Sequence, residues 1–186
     1  VSLVIGCAAP LAYGAWSAGT ALGWTLGAWV ALGTVWQMVQ RLRKPGRIPA
    51  SFWGMHLAHL GMAVLVVGVT GVKSFEVERD VRMGLGDEVS IAPYTFRLVG
   101  MKDVQGPNYR ASRAEVEVLR HGQHLEVLWP EKRRYVSSAM PMTEAGIRSN
   151  FWRDLYVSMG DPLPGEPAQW AMRVYVKPFV PWLWGG

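Results

Sequence analysis

The stretch Ser51-Phe52-Trp53-Gly54-Met55-His56-Leu57-Ala58-His59-Leu60-Gly61-Met62-Ala63-Val64-Leu65-Val66-Val67-Gly68-Val69-Thr70-Gly71-Val72-Lys73 decides the fold. From Ile48 to Val72 there is no Asp, Glu, Lys or Arg, and the ionisable side chains are His56 and His59 alone. An apolar run of about 20 residues is what a helix needs to cross a hydrocarbon layer roughly 30 Å thick. Pro49-Ala50-Ser51 makes a helix start, with Ser51 as the expected N-cap.

Upstream, residues 1–40 carry no charged residue and no histidine. Residues 15–40 are read as one further membrane helix, and 1–14 as the end of a preceding span. Between them and 51–73 lies a basic loop, 41–50, holding Arg41, Arg43, Lys44 and Arg47. The net charge of the whole chain is +5, and this loop supplies four of those charges. Such a cluster is too short to track a phosphate backbone, so no nucleic-acid partner is expected. Lys and Arg in short inter-helix loops mark the cytoplasmic side. Helix 15–40 therefore runs inward and 51–73 outward, placing residues 74–179 in the periplasm. Trp16, Trp36, Trp53, Trp182 and Trp184 fall near the span ends, where indole favours the headgroup layer. Residues 180–186 read as the start of another span. The first residues lack a basic leader and an initiator Met, so both ends are expected to be internal to a longer chain. The single cysteine, Cys7, offers no disulfide framework.

The outer segment reads as strands. Tyr94, Phe96 and Leu98 alternate with polar neighbours, as do Ala114, Val116 and Val118, and His121-Gly122 turns into Leu125–Trp129 as a hairpin. Residues 171–176 form a last strand, ended by Lys177-Pro178. Segment 139–160 fits helix or strand. The expected fold class is thus a polytopic α-helical membrane protein with a β-rich extracytoplasmic domain.

His59 lies eight residues past Ser51, about 12 Å at 1.5 Å per residue, within the cytoplasmic half of the hydrocarbon layer. An ionisable residue at that depth marks a functional site facing the protein interior, though a neutral imidazole costs less than a charge. Depth alone leaves a ligand role and a hydrogen bond to a neighbouring helix equally open. His56 is only about 7–8 Å in, close enough to reach headgroups or water, and a structural role is favoured for it. The two are about 60° apart on one helix side, so they cannot approach one haem iron from opposite faces. Gly54, Gly61 and Gly68 form a smooth stripe away from His59 that seats a neighbouring helix, leaving Met55, His59, Met62 and Val66 for an apolar cofactor edge. Gly19, Gly23, Gly27 and Ala31 allow close helix approach in the first span, which is read as packing. There is no GxGxxG, Walker loop, HExxH or cysteine metal site. His121 and His124 are read as a solvated turn, Glu115 and Glu117 as a solvent face, and Lys132-Arg133-Arg134 beside Glu131 as surface.

The string Ser51–Gly61 resembles the penultimate-helix motif of CcmF, the haem lyase component of bacterial cytochrome c maturation. The likeness continues through Val77–Met83, Gly106–Arg110, Glu131–Arg133, Met142–Ala145, Arg153–Tyr156 and Tyr175–Phe179, covering residues 47–186 in order. The resemblance implies a multi-pass bacterial inner-membrane protein that joins haem to apocytochrome c in the periplasm. It implies a b-type haem (haem b) held by two membrane histidines, of which His59 matches the second as an axial iron ligand. An apolar residue stands at the His56 position in the family, so no role carries over to it. The family's Trp-rich haem segment, its two periplasmic haem-ligating histidines and the other b-haem ligand are expected upstream of Val1. No catalytic residue is therefore assigned within this segment, which alone is not expected to be active. The implied partners are a periplasmic haem chaperone, apocytochrome c with its thiol-reductase and docking subunits, a quinol donor, and inner-membrane lipid. A bis-imidazole haem in a dry site can relay an electron to the ferrous haem that thioether formation needs. Two other readings stand beside this one: a paralogous NrfE-type lyase serving a nitrite-reductase haem site, and a transporter or scaffold segment in which His59 only packs.

Overall fold

The computed structural model describes residues 1–14, 16–137, 140–165 and 168–186. The chain divides into two compact units: residues 1–76 with 150–153 and 177–186, and residues 77–149 with 154–176.

The first unit is helical. Helix α1 spans Ser2–Ala12, α2 Ala18–Leu42 and α3 Ala50–Phe75, with a short α4 at Val180–Gly185. Ser17 caps α2, its Oγ accepting the Thr20 backbone N–H at 3.1 Å. Helix α2 carries on through Arg41 to Leu42, so a basic side chain sits in its last turn, where the helix dipole favours it. The expected Ser51 cap is not used. Pro49, extended at φ −72° and ψ 153°, precedes α3 with no side-chain cap. Helix α3 is, by length and composition, apolar enough to cross a membrane.

Small residues set how close α2 and α3 come. A Cβ on Gly23 would strike the Thr70 side chain, and one on Gly27 would lie 2.7 Å from Val67 Cγ2. Near the other end, Thr20 Oγ1 and Ser74 Oγ share a hydrogen bond of 2.7 Å between the helices. The two helices are thus antiparallel along a seam of Thr20, Gly23 and Gly27 against Ser74, Thr70 and Val67. Contacts of this kind, rather than water exclusion, drive helix association in an apolar solvent.

The second unit is a β-sandwich. One sheet has the order β1-β10-β9-β8 (Val77–Gly84, Gln169–Pro178, Arg153–Leu163, Gly146–Ser149). The other runs β2-β3-β4-β6-β7 (Glu88–Ile91, Tyr94–Gln105, Tyr109–Arg120, Glu131–Tyr135, Met142–Glu144). Strand β5, Gln123–Leu128, pairs with the later half of β4, and β6 with its earlier half. The region left open over 139–160 holds β7, β8 and the start of β9; position 139 itself lies outside the described residues. The reading of alternation holds for β3, β4 and β10. Phe96, Leu98, Val116 and Val118 from one sheet meet Leu155, Val157, Met159, Met172 and Val174 from the other, all fully buried. Side chains two apart share one face of a strand, which is why alternate residues fill the core. Each contributes about 1.5–3 kcal/mol by leaving water.

Candidate functional site

His59 and His56 are set by the same local device. Each imidazole Nδ1 lies 2.7 Å from the carbonyl oxygen four residues earlier, His59 on Met55 and His56 on Phe52. A carbonyl only accepts, so Nδ1–H is the donor in both rings and Nε2 is left to act elsewhere. The 3.6-residue turn then sends the two rings to different surroundings. His59 is exposed on the side of α3 that also carries exposed Met55 and Met62. His56 is 2% exposed, stacked within 3.9 Å of the Phe52 ring, and its Nε2 has no hydrogen-bond partner among the described residues. The expectation that His56 would reach headgroups or water is overturned. It follows the buried line of Ala63, two turns on, and faces the interior of the helical unit.

The glycine stripe behaves as expected at two of its three positions. A Cβ on Gly68 would lie 3.1 Å from the Leu183 backbone nitrogen and one on Gly61 3.2 Å from the Gly186 carbonyl carbon, while Gly54 is open. Gly71 extends the stripe, meeting the Phe179 ring at 2.6 Å. Helix α4 therefore runs antiparallel down the glycine face and leaves the Met55–His59–Met62 face uncovered. A haem iron ligand needs a neutral imidazole with one nitrogen tied back and the other free, on an apolar face that a macrocycle edge can approach. His59 meets these requirements, and His56 fails the last.

Phe179 takes a left-handed conformation, φ 65°, which turns the chain out of β10 into α4. Its ring sits among Tyr13, Trp24, Phe75 and Trp182, with centroids 5.4–6.1 Å away. The segment 150–153, between β8 and β9, joins the same unit. Phe179 N–H donates to Trp152 O at 2.9 Å, and Trp182 Nε1–H donates to Phe151 O at 3.0 Å. Sequence reasoning missed this loop, because two aromatics after a turn residue look like any strand start.

In the β-sandwich, the basic run beside Glu131 is not plain surface. Glu131 is 4% exposed and accepts hydrogen bonds from Arg113 Nε at 2.5 Å and Arg133 Nε at 2.7 Å. Arg133 also lies over the Tyr109 ring at 4.6 Å. Burial opposes ionisation of Glu131, but hydrogen bonds from Arg133 and Arg113 and their charge outweigh it and hold its carboxyl below the ordinary value. Glu115 and Glu117 point outward as read, yet they are half-buried and ion-paired, Glu115 to Lys102 and Glu117 to Arg97, and Glu117 is also hydrogen-bonded to His124. His121 and His124 are exposed at the hairpin, as expected. Among the described residues no three His, Cys, Asp or Glu gather into a metal site.

Residues 74–178 match the family described as the CcmF C-terminal β-sandwich. The whole chain is 40% identical to cytochrome c-type biogenesis protein CcmF of Pseudomonas fluorescens, over 29% of that protein's length. It is 42% identical over 167 residues to the protein of the same name from Escherichia coli K12, covering 90% of this chain and 26% of the relative. Cytochrome c-type biogenesis protein NrfE of Haemophilus influenzae is 33% identical over 162 residues, covering 87% of this chain and 24% of that protein. A solved structure of a cytochrome c haem lyase CcmF superposes with a TM-score of 0.80 at 16% identity, over 98% of this chain and 31% of that one. The chain thus spans under a third of the length of these relatives, and the last likeness concerns the fold alone.

Proposed function

The chain belongs to the CcmF family of cytochrome c-type biogenesis proteins, and on that premise we propose that it is the haem-lyase segment in which His59 is one axial ligand of a membrane-embedded haem b. The observation that carries this is the orientation of His59: Nδ1–H is committed to Met55 O, which leaves Nε2 as the ring nitrogen available for ligation on the exposed side of α3. When bound there, such a haem supplies one-electron transfer, which keeps the haem to be attached ferrous. The residues of this chain do the rest by positioning. The Met55 carbonyl fixes the tautomer and ring plane of His59 and raises its basicity as a ligand. Met55 and Met62 supply a soft, water-excluding wall. α4 and α2 occupy other faces of α3, so the His59 face is the one left for the cofactor and the helix bearing the second ligand.

On this reading α2 and α3 cross the bacterial inner membrane, and the Arg41–Arg47 loop stays in the cytoplasm. The β-sandwich stands in the periplasm, where haem, delivered by a periplasmic chaperone, is joined to apocytochrome c thiols presented by thiol-reductase and docking subunits. A quinol is the electron donor. The higher identity to the CcmF-named relatives than to the NrfE-named one favours general cytochrome c maturation over a dedicated paralogue.

The test is His59→Ala in the intact protein. The b-type haem absorbance is expected to disappear and cytochrome c assembly to fall. An unchanged spectrum with normal assembly overturns the ligand assignment.

A further inference from the structure

The loop from Asn150 to Arg153 leaves the sandwich and groups with the helices. It presents Phe151 at 65% exposure and Trp152 at 59%, two large apolar side chains side by side. They are not splayed at random: the rings pack edge-to-face at 4.9 Å and lie tilted against Trp182 at 5.6 and 6.1 Å. The loop is tied down through its carbonyls, which accept from Trp182 Nε1 and Phe179 N. Asn150 Oδ1 accepts the backbone N–H groups of Trp152 and Arg153, so the backbone of the tip is satisfied within the chain. What remains to be covered is aromatic surface.

The depth of that surface follows from α3. Its 26 residues are about 39 Å long, some 9 Å more than the hydrocarbon thickness, so about three residues at each end extend into the headgroup layer. The outer hydrocarbon boundary then falls near Val72. Phe179 lies against Gly71 and Trp182 against Gly68, which puts the Phe151–Trp152–Trp182 cluster within about one helical turn, roughly 6 Å, of that boundary. Exposed Trp16, one residue before the α2 cap, belongs to the same end. Amphipathic aromatic rings prefer this layer to either water or hydrocarbon.

We propose that the Phe151-Trp152 loop is a lipid-interface anchor, seated at the outer headgroup boundary of the bilayer and pinning the sandwich's β8–β9 connection to the membrane. The proposal rests on the reading that α3 spans the bilayer.

Nitroxide labels test it in the full-length protein with Cys7→Ala, reconstituted into phosphatidylethanolamine–phosphatidylglycerol vesicles. Single labels are placed by Phe151→Cys and, as a second position should that one disturb the loop, Trp152→Cys. Leu57→Cys on α3 and Lys44→Cys in the basic loop give bilayer and water references. The ratio of oxygen to Ni(II)-EDDA collision rates at 151 and 152 is expected several-fold above that at 44. Loop labels as water-accessible as 44 overturn the proposal, and so do labels shielded from both reagents, which would mean a protein cover. A Leu57 label in water instead overturns the spanning reading itself.

Discussion

Two histidines three residues apart make the same hydrogen bond and end in opposite environments. That contrast is a prediction about energy. The Nε2 of His56 is a buried polar atom without a hydrogen-bond partner among the described residues, and such a group costs about 1–3 kcal/mol. His56→Leu is expected to leave the b-type haem spectrum intact and to keep or raise the thermal unfolding temperature in detergent. A clear fall would mean that a donor elsewhere in the full protein reaches Nε2. Glu131 makes the opposite case. Glu131→Gln strands two guanidiniums that are 36% and 26% exposed, so a loss of roughly 2 kcal/mol is expected, below the figure for fully buried pairs. Because the Glu131 carboxyl titrates below its ordinary value of 4.5 in the fold, its contribution is fully present above that value. It is lost as pH falls through the lowered folded value. Urea unfolding of the wild type and Glu131→Gln should therefore differ at pH 7 and converge as pH falls below 4.5. The sequence singled out His59 through its motif, its depth alone leaving two roles open. It hid Glu131, because a charged residue in a basic run reads as surface until β4 and β6 bring Arg113 opposite it.

At the scale of elements, the turn His121-Gly122 joins β4 to β5 with both residues at positive φ, 51° and 78°. This is the mirror-image two-residue turn whose twist suits a hairpin. Gly122→Val is expected to cost about 1–2 kcal/mol in urea unfolding, since a β-branched residue strains at that φ. His121→Gly should be tolerated. Such turns were legible because alternation on either side flags them. Strands β7 and β8 were not, since with three and four residues they are too short for a period to declare itself. The α2–α3 seam was legible as a stripe of small residues, though only the structure shows that Gly23 and Gly27 do the work. Gly27→Leu should separate the two helices and lower the unfolding temperature of the helical unit.

For the molecule as a whole, the proposed topology makes orientation depend on four basic residues rather than on the balanced charge of the sandwich. Neutralising Arg41, Arg43, Lys44 and Arg47 to Gln is expected to scramble topology. In spheroplasts, protease added outside should then reach the sandwich in only part of the population. Undiminished access would mean that the rest of the full protein sets orientation. The change from a largely charge-free to a charged stretch, which accompanies the change from the helical unit to the sandwich, was visible in the sequence. The return of residues 150–153 to the helices was not, since it depends on long-range contacts that no local pattern encodes.

The register of β1 on β10 pairs Val77 with Val176, the first and last residues of the sandwich unit. The chain first enters and last leaves that unit through adjacent, hydrogen-bonded strands, and in between only residues 150–153 return to the helices. Between α3 and α4, which already pack through glycine, the sandwich is geometrically an insertion that a hairpin turn could replace. The β1–β10 pairing and the 150–153 crossing are therefore the places where a change in one unit must be matched by the other.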